Sequence, residues 1–340
     1  MMSENKNNLK SIFLYLITFL FITIIFLNQI HQNLSLNYFE KVENENYYIK
    51  KDNNYAKKKF SEDLIADDSY PALKRECVLT GDFSDRHKVR WVKALFLKNT
   101  FLISQKINSS FPYYTNIFLH SFLIFLTLIF LNKTFLLDRK YNLLFLLYIA
   151  FVFQGQLSEY TYSIFEMFFL SLALYASKHK KFILFLLSGI FASLNRESGF
   201  IILLSWLLFN NDYKKLIISY LIAGATFVLL NLDIAKCLIN PEFFIPIENQ
   251  KGQVNFSDLS GINFISLFKL IFLNFLLPFG LAFYYISQTQ NKNKILIIMF
   301  FIYLLAFLVA TPLHHVSIRL IILPLIFASI FYFENQYQKA

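Results

Sequence analysis

The sequence is short of charge. Only 16% of its 340 residues are Asp, Glu, Lys or Arg, where a soluble domain of this size carries about 25%. Cysteine is nearly absent. Cys77 and Cys237 are the two present, so a secreted disulfide scaffold is excluded, and one bond between them would need both in an oxidising compartment. Glycine and proline number only 8 and 7. Broken helices of the kind transporters place at their binding sites are therefore scarce, and Pro278, Pro312 and Pro324 have no counterparts across two halves of the chain. What fills the space is apolar: 56% of residues are hydrophobic, 42 of them Phe, and mean hydropathy is +0.47. The Phe, Ile, Asn and Lys bias is what an AT-rich coding sequence produces, so the Phe count says little about function. No single soluble core hides this much apolar side chain. Cytoplasmic enzymes and nucleic-acid binders are excluded with the secreted scaffolds.

Apolar runs of roughly 20 residues recur along the chain, each long enough to cross about 30 Å of hydrocarbon. They predict an all-α, polytopic transmembrane helical bundle of about 10 spans, forming one integral membrane domain over 1–340. The first span, Ile12–Ile30, follows Lys6 and Lys10. No small-residue cleavage site comes after it, so it reads as an uncleaved anchor. A long polar stretch, 31–115, separates it from the bundle at 116–340. Further apolar segments fall at 116–131, 141–155, 160–177, 182–194, 198–209, 214–232, 264–286, 295–312 and 318–333. Segments 182–194 and 198–209 are shorter than a full span and are compatible with two crossings or with a re-entrant hairpin.

Charge orients this threading. Lys6, Lys10, Lys133, Arg139, Lys140, Lys178, Lys180, Lys181, Lys214, Lys215, Lys292, Lys294 and Lys339 fall in alternate connections, while the other short loops hold Arg196, Lys236, Lys251 and Arg319. Basic residues gather on the cytosolic side, so the topology is N-in and C-in. The net charge of +10 belongs to that bias, and no nucleic-acid partner is expected. The irregular polar sequence then lies on the extracytoplasmic face: the 31–115 loop, the 233–263 loop, Glu159, Asn195-Arg196-Glu197 and His314 to Arg319.

In the first loop, Asp67-Asp68-Ser69-Tyr70-Pro71 is either a solvated turn or a carboxylate pair able to hold a divalent cation or act as a base. Nothing else in the sequence demands a cofactor. From Asp85 to Ile107, Val89, Val92, Phe96, Asn99, Leu102 and Lys106 recur near helical spacing, with Leu95 and Ile103 broadening the face. This predicts an interfacial amphipathic helix, led by Trp91 and flanked by Arg86, Lys88 and Arg90. Those cations would meet membrane lipid or a phosphate-bearing substrate, for which the fork of Arg90 is suited.

Within the spans, Glu159 and Glu166 lie seven apart, on one face of the 160–177 helix. A carboxylate at membrane depth pairs, faces water, or meets a polar neighbour such as Lys269 or His120. Arg196 stands at the tip between the two short segments. Asn195 is a candidate helix cap and Glu197 suits a first turn, but a cation there opposes the helix dipole and calls for an anion: Glu166, Glu159 or a bound phosphate. His314, His315 and Arg319 stand at the start of the last segment. Adjacent histidines point in different directions on regular structure and lack acidic or Cys companions, so a metal centre is not expected there.

The stretches YSIFEMFFLSLALYA, ASLNRESGF and IRLIILPL, with an N-in first span, a long outer loop and many following spans, resemble the GT-C superfamily of membrane glycosyltransferases, particularly bacterial polyprenyl-phosphate-mannose-type enzymes. The resemblance covers most of the chain as organisation. It implies transfer of a sugar from a polyprenyl-phosphate donor to a lipid-linked or cell-envelope glycan acceptor, on the outer face of the bacterial inner membrane. In such families an acidic residue of the first outer loop acts as base or metal ligand, here Asp67 or Asp68; the usual Asp directly after the first span is missing, and Lys41-Val42-Glu43 stands there instead. Arg90, Arg196 and Arg319, with His314 and His315, would hold phosphate, and Glu159, Glu166 and Glu197 would orient the site. An O-antigen polymerase-like enzyme and a transporter or lipid flippase are the alternatives.

Overall fold

The computed structural model describes residues 17–24, 27, 57–58, 61–62, 91–92, 96–97, 99–135, 161–232, 298–299 and 302. Every ordered element among them is helical. They comprise α1 (Asn99–Gln105), α2 (Phe111–Phe135), α3 (Thr161–Lys178), α4 (Phe182–Asn195), a 3₁₀ helix (Glu197–Leu208) and α5 (Tyr213–Leu230). The five segments from α2 to α5 answer to predicted spans and differ from them by a few residues at their ends. α2 and α5 are long and apolar enough to cross a membrane.

α3 is the centre of the bundle. Ile164, Phe165, Met167, Leu170, Ala173, Leu174 and Ala176 bury almost completely, as a helix apolar on all sides requires. α2 packs along one side of it, α4 and the 3₁₀ helix along the other, and α5 covers those two. Phe130 meets both Phe168 and Tyr175, while His120 meets Phe165, so α2 and α3 run parallel. α4 runs back against α3, with Phe191 stacked on Phe169. On the first predicted span, Phe19 sits edge-on to Phe118 and Phe125 of α2.

α4 and the 3₁₀ helix form a close hairpin. Small residues Ser188, Gly189, Ala192 and Ser193 make its buried face, the pattern that lets helix backbones approach without side chains between them. A methyl group on Gly199 would lie 2.1 Å from the Ala192 carbonyl oxygen and 2.5 Å from the Ser193 nitrogen. Glycine is therefore required by contact there. The two short arms reach similar lengths by different windings. At about 2.0 Å of rise per residue a 3₁₀ helix of this length extends about 24 Å, while α4, at about 1.5 Å per residue, extends about 21 Å. Extending the chain lets fewer residues match the partner helix.

Capping differs from expectation at one point. Arg196, not Asn195, occupies the junction, and no side chain caps the 3₁₀ helix. At α5, Asp212 accepts from the Lys215 N–H at 3.2 Å. That bond, more than the ion pair with Lys215, holds the Asp212 carboxyl below its ordinary value.

Seven hydroxyls within the helices are satisfied locally. Thr127, Thr134, Ser171, Ser188, Ser193, Ser219 and Thr226 each donate to a carbonyl three or four residues back. In apolar surroundings an unmade bond is costly, and this short reach avoids it.

Candidate functional site

Two ends of the bundle can be told apart by their contacts. At one end lie the starts of α2 and α3, the tip of the α4 hairpin and the finish of α5. At the other lie Lys133, Lys178, Lys180, Lys181, Lys214 and Lys215, all exposed. Lys178 donates to the Thr134 carbonyl, and Ser177 Oγ donates to the carbonyls of Ser205 and Trp206 at 3.0 and 3.1 Å, fixing which termini share that end.

The first end also gathers pieces of the long polar stretch. Lys57 Nζ donates to the Tyr114 hydroxyl at 2.8 Å, and Ser61 Oγ accepts from the Tyr113 N–H at 3.2 Å. Trp91 Nε1 donates to Asn231 Oδ1 at 3.0 Å, joining that stretch to the finish of α5. Sequence spacing gives no sign of this last pairing.

Glu166 and Arg196 meet here. Arg196 Nη1 lies 3.8 Å from Glu166 Oε2; the Glu166 side chain is 0% exposed and that of Arg196 14%. Among the anions expected for Arg196, the structure brings Glu166 to it. Arg196 is also better placed electrostatically than the sequence implies. Its backbone is extended, and its N–H donates to the Ala192 carbonyl at 3.0 Å. It thus closes the C-terminus of α4, where a cation is favoured, as well as opening the 3₁₀ helix, where it is not. Gly199 donates its N–H to the Arg196 carbonyl at 2.8 Å and completes the turn.

Around the pair, Asn195 is fully buried at the end of α4, and His120 and Asn116 are buried on α2. His120 Nδ1 lies 2.7 Å from the Asn116 carbonyl oxygen, and its ring stands edge-on to Phe165, the residue before Glu166. Buried polar groups from α2, α3 and α4 therefore share one region of an otherwise apolar bundle. Asn116 and Asn195 are additions to the predicted set; burial of an amide within an apolar run was the signal available.

Asp67, Asp68, Arg90, Glu159, His314, His315, Arg319 and Lys269 lie outside the described residues. Glu197 opens the 3₁₀ helix. Among the described residues, no three His, Cys, Asp or Glu side chains stand together as metal ligands would.

α1 packs Phe101 and Ser104 inward, and Val92 and Leu97 before it are also buried. Phe96, Leu102 and Ile103, from the predicted apolar stripe, are exposed. An interfacial helix turns such a stripe to lipid.

No protein-family model, curated protein or solved structure matches the chain.

Proposed function

We propose that the chain is a multi-pass protein of the bacterial inner membrane that transfers a sugar from a polyprenyl-phosphate donor to a lipid-linked or cell-envelope acceptor on the extracytoplasmic face. The observation that carries this reading is the Glu166–Arg196 pair: an arginine side chain 14% exposed, at the bundle end opposite the lysines of the short connections, backed by a fully buried carboxylate. The positive-inside bias assigns the lysine end to the cytosol, which leaves Arg196 facing the other way.

The chemistry suits that residue. A lipid-phosphate donor carries its phosphate at headgroup height and its chain in the bilayer. When the acceptor hydroxyl oxygen bonds to the anomeric carbon, the bond from that carbon to the phosphate oxygen breaks. Its electron pair stays on the phosphate, and the hydroxyl proton passes to a carboxylate, for which Asp67 and Asp68 are the candidates. A guanidinium held at the departing phosphate stabilises the charge it gains. Glu166 would hold Arg196 in position and keep the buried region neutral when the site is empty.

The test is transfer from a radiolabelled polyprenyl-phosphate sugar in membrane vesicles. Arg196→Ala is expected to lower transfer by about 100-fold or more, the cost of losing one charge-stabilising donor, while the protein stays inserted. Full activity in that variant would overturn the reading. Accumulation of the labelled lipid or sugar without a new glycosidic bond would make the protein a transporter instead, and joining of whole oligosaccharide repeats would make it a polymerase.

A further inference from the structure

We propose that the lysine end of the bundle is a docking surface for anionic phospholipid headgroups. This surface lies opposite Arg196 and rests on the reading of the chain as a membrane protein, not on sugar transfer. Asp212 is the one carboxylate among the described residues at that end, and Lys215 already pairs with it at 3.2 Å.

Several of these cations stand where the backbone disfavours them. Lys180 has φ 54°, a left-handed conformation. Its N–H donates to the Ser177 carbonyl at 3.1 Å, and that of Lys181 to the Ala176 carbonyl at 2.8 Å. This bonding closes α3 in the manner that ordinarily selects glycine at the Lys180 position. Lys181 occupies the N-cap of α4 with no side-chain cap. Lys214 and Lys215 lie in the first turn of α5, against its dipole. Membrane orientation alone does not require these positions, because a lysine a residue or two away would orient the chain equally well.

Their surroundings identify the partner as lipid. Exposed apolar side chains begin directly beside them: Ile183 is 74% exposed, two residues beyond Lys181, and Ile217 57%, two beyond Lys215. That surface continues along Leu187 and Phe191 on α4 and Leu221 on α5, and the exposed Tyr213 ring stands beside Lys214. A phospholipid covers both parts at once, phosphate on the lysines and acyl chain on the apolar face. A soluble acidic protein would cover only the first. Lys181 is tethered to the Tyr175 hydroxyl at 3.4 Å, and Lys215 lies over the Phe182 and Trp206 rings. Lys180 and Lys214, like Lys133, make no ion pair or side-chain hydrogen bond among the described residues, which leaves them to reach the headgroup.

The experiment places the full chain in phosphatidylcholine bilayers and measures its preference for spin-labelled phosphatidylglycerol over spin-labelled phosphatidylcholine. The wild type is expected to prefer the anionic lipid, and each lysine lost from Lys180→Gly and Lys214→Gln to lower that preference by about two- to fivefold. Lys180→Gly is also expected to raise the melting temperature, since it relieves the left-handed turn. Lys180→Gln serves if the glycine variant misfolds. An unchanged preference in the double variant, or none in the wild type, overturns the proposal. So does displacement of the label by soluble polyglutamate, which would assign the surface to an acidic protein. A chain released from membranes by alkaline carbonate would instead refute the membrane reading itself.

Discussion

Glu166 and Arg196 differ from the other polar side chains of the helices. Most of the hydroxyls bond within their own turn, Ser177 excepted, whereas this charged pair spans from α3 to the α4 tip. A buried ion pair adds little net stability, but removing one partner strands the other, at about 3–5 kcal/mol. Arg196→Ala and Glu166→Leu are each expected to lower unfolding stability in detergent micelles by that order, and Glu166→Leu combined with Arg196→Met to recover most of it. Additive losses in the double variant would show that the two do not depend on each other. This pairing was legible in outline, because a cation at a helix junction calls for an anion and few were within reach. Trp91 and Asn231 were not: they are separated by 140 positions, and no local pattern couples residues so far apart.

At the level of elements, the apolar runs bounded by lysines located α2 to α5, since length and hydropathy suffice for that. The tighter winding of 197–208 was hidden, because apolar composition alone does not distinguish 3.0 from 3.6 residues per turn. Close approach in the hairpin orders three glycine substitutions. Gly199→Ala meets backbone atoms and is expected to destabilise by about 3 kcal/mol, at the upper range for overpacking. Gly189→Ala meets only the Leu203 side chain, nearest at 2.2 Å, which can turn aside at lower cost. Gly224 on α5 has nothing within 4 Å, and alanine there is expected to stabilise by about 0.5–1 kcal/mol. Thermal unfolding of the three variants checks the order; equal effects would contradict the hairpin geometry.

For the whole molecule, the gathering at one end of the lysines from the short connections 133, 178–181 and 214–215 accords with the alternation seen in the sequence. It makes a simple labelling prediction. In a background lacking Cys77 and Cys237, Lys180→Cys is expected to react with an impermeant thiol reagent only after cells are opened, and Lys58→Cys in intact cells. Identical labelling of both would remove the sidedness on which Arg196 as an outer residue depends. The two ends are also mechanically joined. The 3₁₀ segment is gripped at its start by Gly199 against Ala192 and near its finish by Trp206 against Phe185. Relaxation to an ordinary helix would shorten it by about 6 Å, so one grip would have to open. The segment is therefore held at both ends, so a pull at the lysine-bearing turn would carry to Arg196 with little slack.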